Sequence, residues 1–213
     1  MEEGTRGRVG AVMRFDGAAP RCYLTFDDGP DPQWTPRVLD ALAVAGVRAT
    51  FFVLGRLALQ HAELVRSALA QGHAIGNHSF SHRHPWTLTR AQARNEIRSG
   101  ADAIADVTGE RPAWYRPPHG RLGRHGLEVA QLEQQRVVLW SVSAIDWGPL
   151  ASTRRIVDRL QRVRAGDIAL LHDGPLRHNR PDRTLPALPA LFATLARAGL
   201  ESAALPWTAT MQT

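Results

Sequence analysis

Strand-like and helix-like segments alternate from about residue 21 to the end of the chain, which predicts an α/β fold: a largely parallel sheet with helices outside it. Two further observations support that class. Polar residues able to do chemistry fall repeatedly just after the strand-like segments, where such folds keep their sites. No internal repeat, low-complexity tract or linker divides the 213 residues, a length that suits one domain with a full core. The alternation alone leaves a barrel and a doubly wound sheet both open.

The elements follow in order. The first strand is the short apolar run Cys22-Tyr23-Leu24, continuing into Thr25-Phe26-Asp27-Asp28 and broken by Gly29-Pro30. Thr35-Pro36 reads as a helix start, with Thr as N-cap and Pro at the first helical position. Val38, Leu39, Leu42 and Ala45 give that helix its apolar face, and Gly46 ends it. Residues 48–54 read as a buried strand, 61–71 as a helix ended by Gly72, and His73 to Asn77 as the next short strand. Thr89-Arg90-Ala91-Gln92 is a capping box opening a helix to about Val107. Strands are predicted near 113–115, 137–142 and 167–171, and helices near 124–135 and 153–164. A last helix over about 187–199 starts near Pro186 and Pro189 and stops at Gly199, before a final strand over Ser202 to Leu205.

Composition narrows the class. The apolar fraction of 44% and charged fraction of 22% are those of a globular protein. All 26 basic residues are Arg, giving a net charge of +6, but they are scattered, without the massed basic and aromatic pattern of a nucleic-acid binder. No nucleic-acid partner is expected, although a basic surface aids approach to anionic polymers. The single Cys22 permits no intrachain disulfide and reads as a buried structural thiol. No stretch reaches transmembrane length, and the first fifteen residues lack an apolar signal core. A cytoplasmic protein is expected as the sequence stands, or an envelope or secreted one where a leader is removed.

The chemistry-bearing residues form a series. Asp27 and Asp28 follow the first strand and His78-Ser79-Phe80-Ser81-His82 the third. Arg116-Pro117-Pro118-His119-Gly120, Asp146-Trp147 and His172-Asp173-Gly174 follow later ones. A parallel barrel gathers these strand ends on one face. Adjacent carboxylates repel when both ionise, so a proton or a metal is expected beside Asp27 and Asp28. His78 and His82 are spaced i, i+4, and one helical turn points both imidazoles the same way. Two imidazoles and a carboxylate suit a borderline divalent cation with open coordination positions. The same donor set serves non-haem iron oxygenases, which the adjacent second carboxylate argues against.

Thr25–Pro30, His78–His82, Arg116–Gly120, Asp146-Trp147 and Leu170-Leu171-His172 resemble, in order and spacing, the five motifs of the polysaccharide deacetylases, the carbohydrate esterase family 4 or NodB-homology domain. The segments 31–36, 49–55 and 72–77 are similar as well, so the resemblance covers about residues 21–200. It implies a distorted (β/α) barrel of about seven parallel strands with outer helices, occupying 21–213 after an N-terminal extension over 1–20. It implies Asp28, His78 and His82 as metal ligands, holding Zn2+ with Co2+ or Ni2+ as alternatives. Asp27 is implied as general base and His172 as general acid, with Arg116 and Asp146 orienting them. Trp147 and Leu170 are implied as walls of an acetyl slot, with Pro117 and His119 beside the substrate. The implied partner is an acetylated carbohydrate polymer or oligomer of the chitin or peptidoglycan type, acted on by a monomer through N-deacetylation. O-deacetylation of an acetylxylan-type polymer, hydrolysis of another amide and a non-catalytic carbohydrate-binding relative are the alternatives.

Two departures stand out. Ser143 occupies a position where the family often carries an acidic or amide residue. Arg83 and His84 are interposed before Pro85, so His84 competes with His82 as third ligand, and i, i+4 spacing favours His82. His61, His73, His125 and His178 read as surface or structural. Trp34 and Trp86 read either as sugar-stacking faces or as core.

Overall fold

The computed structural model describes residues 4–6, 10–16, 19–176 and 178–205. Strands β1 (Gly4–Arg6), β2 (Ala11–Val12) and β3 (Arg14–Asp16) precede β4 (Arg21–Asp27). They are followed by β5 (Ala49–Val53), β6 (Ala74–Asn77), β7 (Trp114–Tyr115), β8 (Arg136–Val138), β9 (Val142–Ser143), β10 (Ile168–His172) and β11 (Glu201–Ser202). The helices are α1 (Thr35–Val44), α2 (Gly55–Gln60), α3 (Ala62–Ala70), α4 (Arg90–Thr108), α5 (Gly126–Leu132), α6 (Thr153–Leu160), α7 (Pro181–Thr184) and α8 (Leu188–Arg197). Among the described residues no helix is long and apolar enough to cross a membrane.

The main sheet runs β2-β8-β7-β6-β5-β4-β10-β9 with parallel pairings, and β11 adds to the start of β4. It curls until its edges approach each other, giving a distorted (β/α) barrel. The segment around β2 and β3 bridges the gap. Val12 accepts from the Leu139 N–H at 2.7 Å, while Phe15 donates to the Gly166 carbonyl at 2.9 Å. Arg14 pairs with Asp167 at 3.0 Å, and Asp167 also accepts from Ser141 at 2.7 Å. Residues 11–15, which the sequence assigned to an extension, are thus part of the barrel wall.

The alternation along β4 decides what faces where. Leu24 and Phe26 point outward with Phe51, Val53, Ile75, Ala169 and Leu171, packing beneath α1, α3, α4, α6 and α8. Tyr23 points inward and clusters with Phe15, Phe52, Trp114, Val138 and Ile168. Thr25 and Asp27 share the inward parity, so the barrel lumen is apolar at its floor and polar at its mouth.

Several elements differ from the sequence reading. Helix α3 fills the span predicted over 61–71, but a further helix that the sequence reading left out, α2, directly precedes it across a break at His61. The strand over 137–142 divides into β8 and β9. Thr35 is the first helical residue, not the cap: its hydroxyl accepts from the Asp31 N–H at 2.8 Å and donates to Asp173 at 2.5 Å. Asp31 instead organises the entry, accepting from the Gln33 and Trp34 N–H groups. The capping box at Thr89 and Gln92 is formed on both sides, and Gly109 ends α4 in the left-handed region. Two short helical turns, α7 and the 3₁₀ segment Leu185–Ala187, lead into α8 ahead of the helix start expected near Pro186 and Pro189.

Candidate active site

Asp27 ends β4 with its carboxylate in the barrel mouth, and Asp28 follows at φ +74°. That left-handed turn lets two consecutive carboxylates share the cavity instead of alternating between faces. Close packing holds the turn: a Cβ on Gly174 would lie 2.0 Å from the Asp28 carbonyl oxygen.

The histidines arrive from the loop after β6, which is not a helical turn. Ser79 and His82 both have positive φ, at +69° and +63°. The Ser79 hydroxyl accepts from the His82 N–H at 3.1 Å, and Asn77 Oδ1 accepts from the Ser79 N–H at 2.9 Å. Helix α4 supports the loop from behind: buried Glu96 accepts from both the N–H and the hydroxyl of Ser81. So i, i+4 spacing points to the right pair through a different local geometry.

His78 donates from Nδ1 to the Arg116 carbonyl at 2.8 Å, which turns its Nε2 lone pair toward the mouth. The Nε2 atoms of His78 and His82 lie 3.3 and 3.1 Å from Asp28 Oδ1. That oxygen is buried with no hydrogen-bond partner, an arrangement expensive to leave unfilled. Asp28, His78 and His82 offer ligand atoms all within 4.8 Å of one another, so the donor set fits a divalent cation. Burial opposes ionisation of Asp28, but the facing His78 and His82 edges outweigh it and hold the carboxyl well below its ordinary range. His84 is not in this group: its ring stacks on His119 at 4.2 Å.

Arg116 is fully buried in the lumen beneath Asp27. Its Nη1 donates to Asp27 Oδ1 at 2.8 Å and to Thr25 Oγ1 at 2.7 Å, and its Nη2 donates to the Leu139 carbonyl at 2.9 Å. The guanidinium lies over the Phe52 ring at 4.1 Å. One Asp27 oxygen is thereby committed to Arg116, while Oδ2 lies 3.9 Å from His78 Nε2.

Across the cavity, His172 ends β10. Its Nδ1 contacts Asp146 Oδ1 at 2.7 Å, its backbone N–H donates to Asp146 Oδ2 at 2.8 Å, and Thr184 donates to the same oxygen at 2.6 Å. Burial works against a charged His172, but the Asp146 carboxylate overrides it and raises the imidazolium to about 9. Beneath the site, burial and the neighbouring Asp28 push the Asp173 carboxyl up to about 7, against the Thr35 hydrogen bond.

A cavity of about 600 Å³ joins these groups; Asp27, Asp28, His78, His82, His119, Trp147, Leu170 and His172 all line it. Trp147 meets His172 edge-on at 5.4 Å. Arg116 and Asp146 stand behind the lining. Pro117 is buried and is not among the residues that line the cavity. His178, read from the sequence as a surface or structural histidine, stands at the rim. Asn179 went unnoticed in the sequence: its Nδ2 donates to Asp28 Oδ2 at 2.7 Å and to the Gly174 carbonyl at 2.9 Å. No motif signals it, because its partner lies 151 residues away.

Residues 16–138 match the sequence model of the family described as polysaccharide deacetylase. A peptidoglycan-N-acetylglucosamine deacetylase of Bacillus cereus is 33% identical over 180 residues, covering 81% of this chain and 66% of that protein. A chitooligosaccharide deacetylase of Bradyrhizobium sp. is 36% identical over 193 residues, covering 86% of this chain and 88% of that one. Among solved structures, a family 4 carbohydrate esterase from Streptomyces lividans in complex with acetate superposes with a TM-score of 0.79 at 38% identity, covering 86% and 91% of the two chains.

Proposed function

The chain belongs to the polysaccharide deacetylase family, and on that footing we propose that it is a metal-dependent hydrolase removing N-acetyl groups from N-acetylglucosamine units of a chitin-like oligomer or of peptidoglycan. The observation that carries this reading is a division of labour between neighbouring carboxylates. Asp28 belongs to the cation-binding group, while Asp27 stands outside it, tied to Arg116 by one oxygen and open at the other.

A divalent cation, Zn2+ with Co2+ or Ni2+ as alternatives, supplies carbonyl polarisation and a water of lowered pKa when bound. Asp27 Oδ2 is the base that takes the proton from the attacking water, and Arg116 keeps that carboxylate ionised and oriented. Pro117 and Pro118 have no N–H, and those of Gly120 and Arg121 donate to the Pro117 and Pro118 carbonyls. The His119 N–H is therefore the loop's donor for the developing oxyanion. His172, held as imidazolium by Asp146, gives its Nε2 proton to the departing amine. Trp147 and Leu170 wall the acetyl methyl. An iron-oxygenase reading leaves the His172–Asp146 pair without a task.

The test is Asp27→Asn, assayed for acetate release from chitooligosaccharides and peptidoglycan fragments with zinc, cobalt or nickel supplied. Metal content should be retained while turnover falls by roughly 10²- to 10⁴-fold. Turnover at the level of the unaltered protein would sink the base assignment, and no release from any acetylated glycan would sink the function.

A further inference from the structure

At the edge of the cavity stands a cluster of rings whose side chains take no part in these steps. Trp86 sits in the short turn after the interposed residues Arg83 and His84, and 54% of it is exposed. The ring is not stranded at random. It lies 4.7 Å from the His84 ring and 5.7 Å from His119, with the Arg121 guanidinium 5.8 Å from its centroid. His84 and His119 stack nearly parallel, with an interplanar angle of 11°. His119 in turn meets His82 edge-on at 4.7 Å, so the ring surface runs unbroken from the cation-binding group to Trp86.

The surface is fixed in place. A Cβ on Gly123 would lie 2.6 Å from the Pro85 carbonyl oxygen, so the loop carrying Trp86 seats directly on the loop after Arg116. It also opens onto space. A second cavity of about 510 Å³ is lined by Trp86, Arg121, Leu122, Gly123, Leu139 and Ala11, and it shares Gly120 with the catalytic cavity. An exposed indole flanked by imidazoles and a guanidinium, continuous with a site for a polymer, has the composition of a ligand site: apolar faces with few polar groups. A pyranose ring matches it, since its C–H face packs on the indole while its hydroxyl and acetamido groups meet Arg121 and His84.

We propose that Trp86, with His84 and Arg121, forms a sugar subsite that takes a hexopyranose unit of the polymer beyond the one being deacetylated. This rests on the deacetylase reading above and adds a residue that sets chain-length preference. His84 is one of the two residues interposed between the histidine pair and Pro85, and Trp86 follows directly, so the subsite borders the part of the chain that departs from the family pattern.

The experiment compares kcat/KM for acetate release from chitobiose and chitopentaose in the zinc-loaded protein and in Trp86→Ala and Trp86→Phe. Loss of the indole face should lower the pentamer-to-dimer ratio by roughly three- to tenfold, and Phe should recover most of it. Chitopentaose binding by calorimetry should weaken by the same factor in Trp86→Ala, a readout independent of turnover. A ratio and an affinity unchanged in Trp86→Ala, or equal losses on dimer and pentamer, would overturn the subsite. Absence of acetate release from either oligomer by the unaltered protein would count against the deacetylase reading, and the calorimetric comparison then decides the subsite alone. With half its surface in solvent, Trp86→Ala should melt close to the unaltered protein; a large drop in Tm would assign Trp86 to packing and also overturn the proposal.

Discussion

Asn179→Ala isolates the hydrogen bond that holds the far side of the cation-binding carboxylate. Asp28 presents Oδ1 to the two imidazoles, and its Oδ2 accepts from Asn179 at 2.7 Å. The bond fixes the carboxylate's rotation and so keeps Oδ1 aimed between the His78 and His82 nitrogens. A hydrogen bond to a charged acceptor contributes about 1.5–3 kcal/mol, and the half-buried position of Asn179 lets water replace part of it, which favours the lower end. One decade in an equilibrium constant is about 1.4 kcal/mol, so zinc affinity should fall roughly tenfold, at the modest end of what outer-shell partners contribute. Competition against a chromophoric chelator at fixed pH reads this directly, without substrate. Asn179 also donates to the Gly174 carbonyl, so a Tm comparison of the metal-free proteins accounts for any loosening of that loop. An unchanged zinc Kd would refute the argument and show that packing around Gly174, not Asn179, orients Asp28.

Three further outcomes are expected. His172 is raised to about 9, so if its protonated form is the acid, kcat/KM should fall as pH climbs through that value. Asp146→Asn, which removes the charge behind the raised value, should move that alkaline limb down by roughly 1–2 units; a limb that stays put in the pH–rate profile counts against the pairing. Asp173, a carboxyl raised to about 7, contributes stability that is full below its unfolded pKa and lost as pH rises through 7. Metal-free Asp173→Asn should lack that decline in chemical-denaturation curves between pH 4 and 8, and an identical decline in both proteins would place the titration elsewhere. His172→Ala should reduce acetate release from amides more than from aryl esters, whose leaving groups depart with little help; equal reductions would argue against a general acid.

The sequence made the site legible where a chemical residue ends a strand and a breaker follows at once. Asp27-Asp28-Gly29, Arg116-Pro117 and His172-Asp173-Gly174 carry this signature, and a parallel sheet brings such ends together without further information. The apolar strands around them were legible for the same reason: Ala49–Val53 and Ile168–His172 are buried along their whole length. Groups that depend on the closed barrel were not legible. The two-residue strand Ala11–Val12 has no pattern of its own and exists because the curled sheet leaves a gap to fill. Thr184 and Asn179 act through loops that only the fold brings to Asp146 and Asp28.

The Asp pair shows where the boundary falls. Charge repulsion between neighbours is a property of the sequence, and it calls for a cation whatever the fold. Which carboxylate binds that cation is a property of the backbone. Strand parity puts Asp27 in the lumen, within reach of an Arg116 that is wholly buried and needs a counter-charge. The left-handed turn at Asp28 then carries the second carboxylate sideways to the two imidazoles. Were Asp28 to continue the strand, its side chain would point outward toward the helices and the histidines would face an empty position. The positive φ at Asp28 and the burial of Arg116 are therefore one device: together they set two chemically identical neighbours apart, one facing the imidazoles and the other held by Arg116, as the proposed ligand and base roles require.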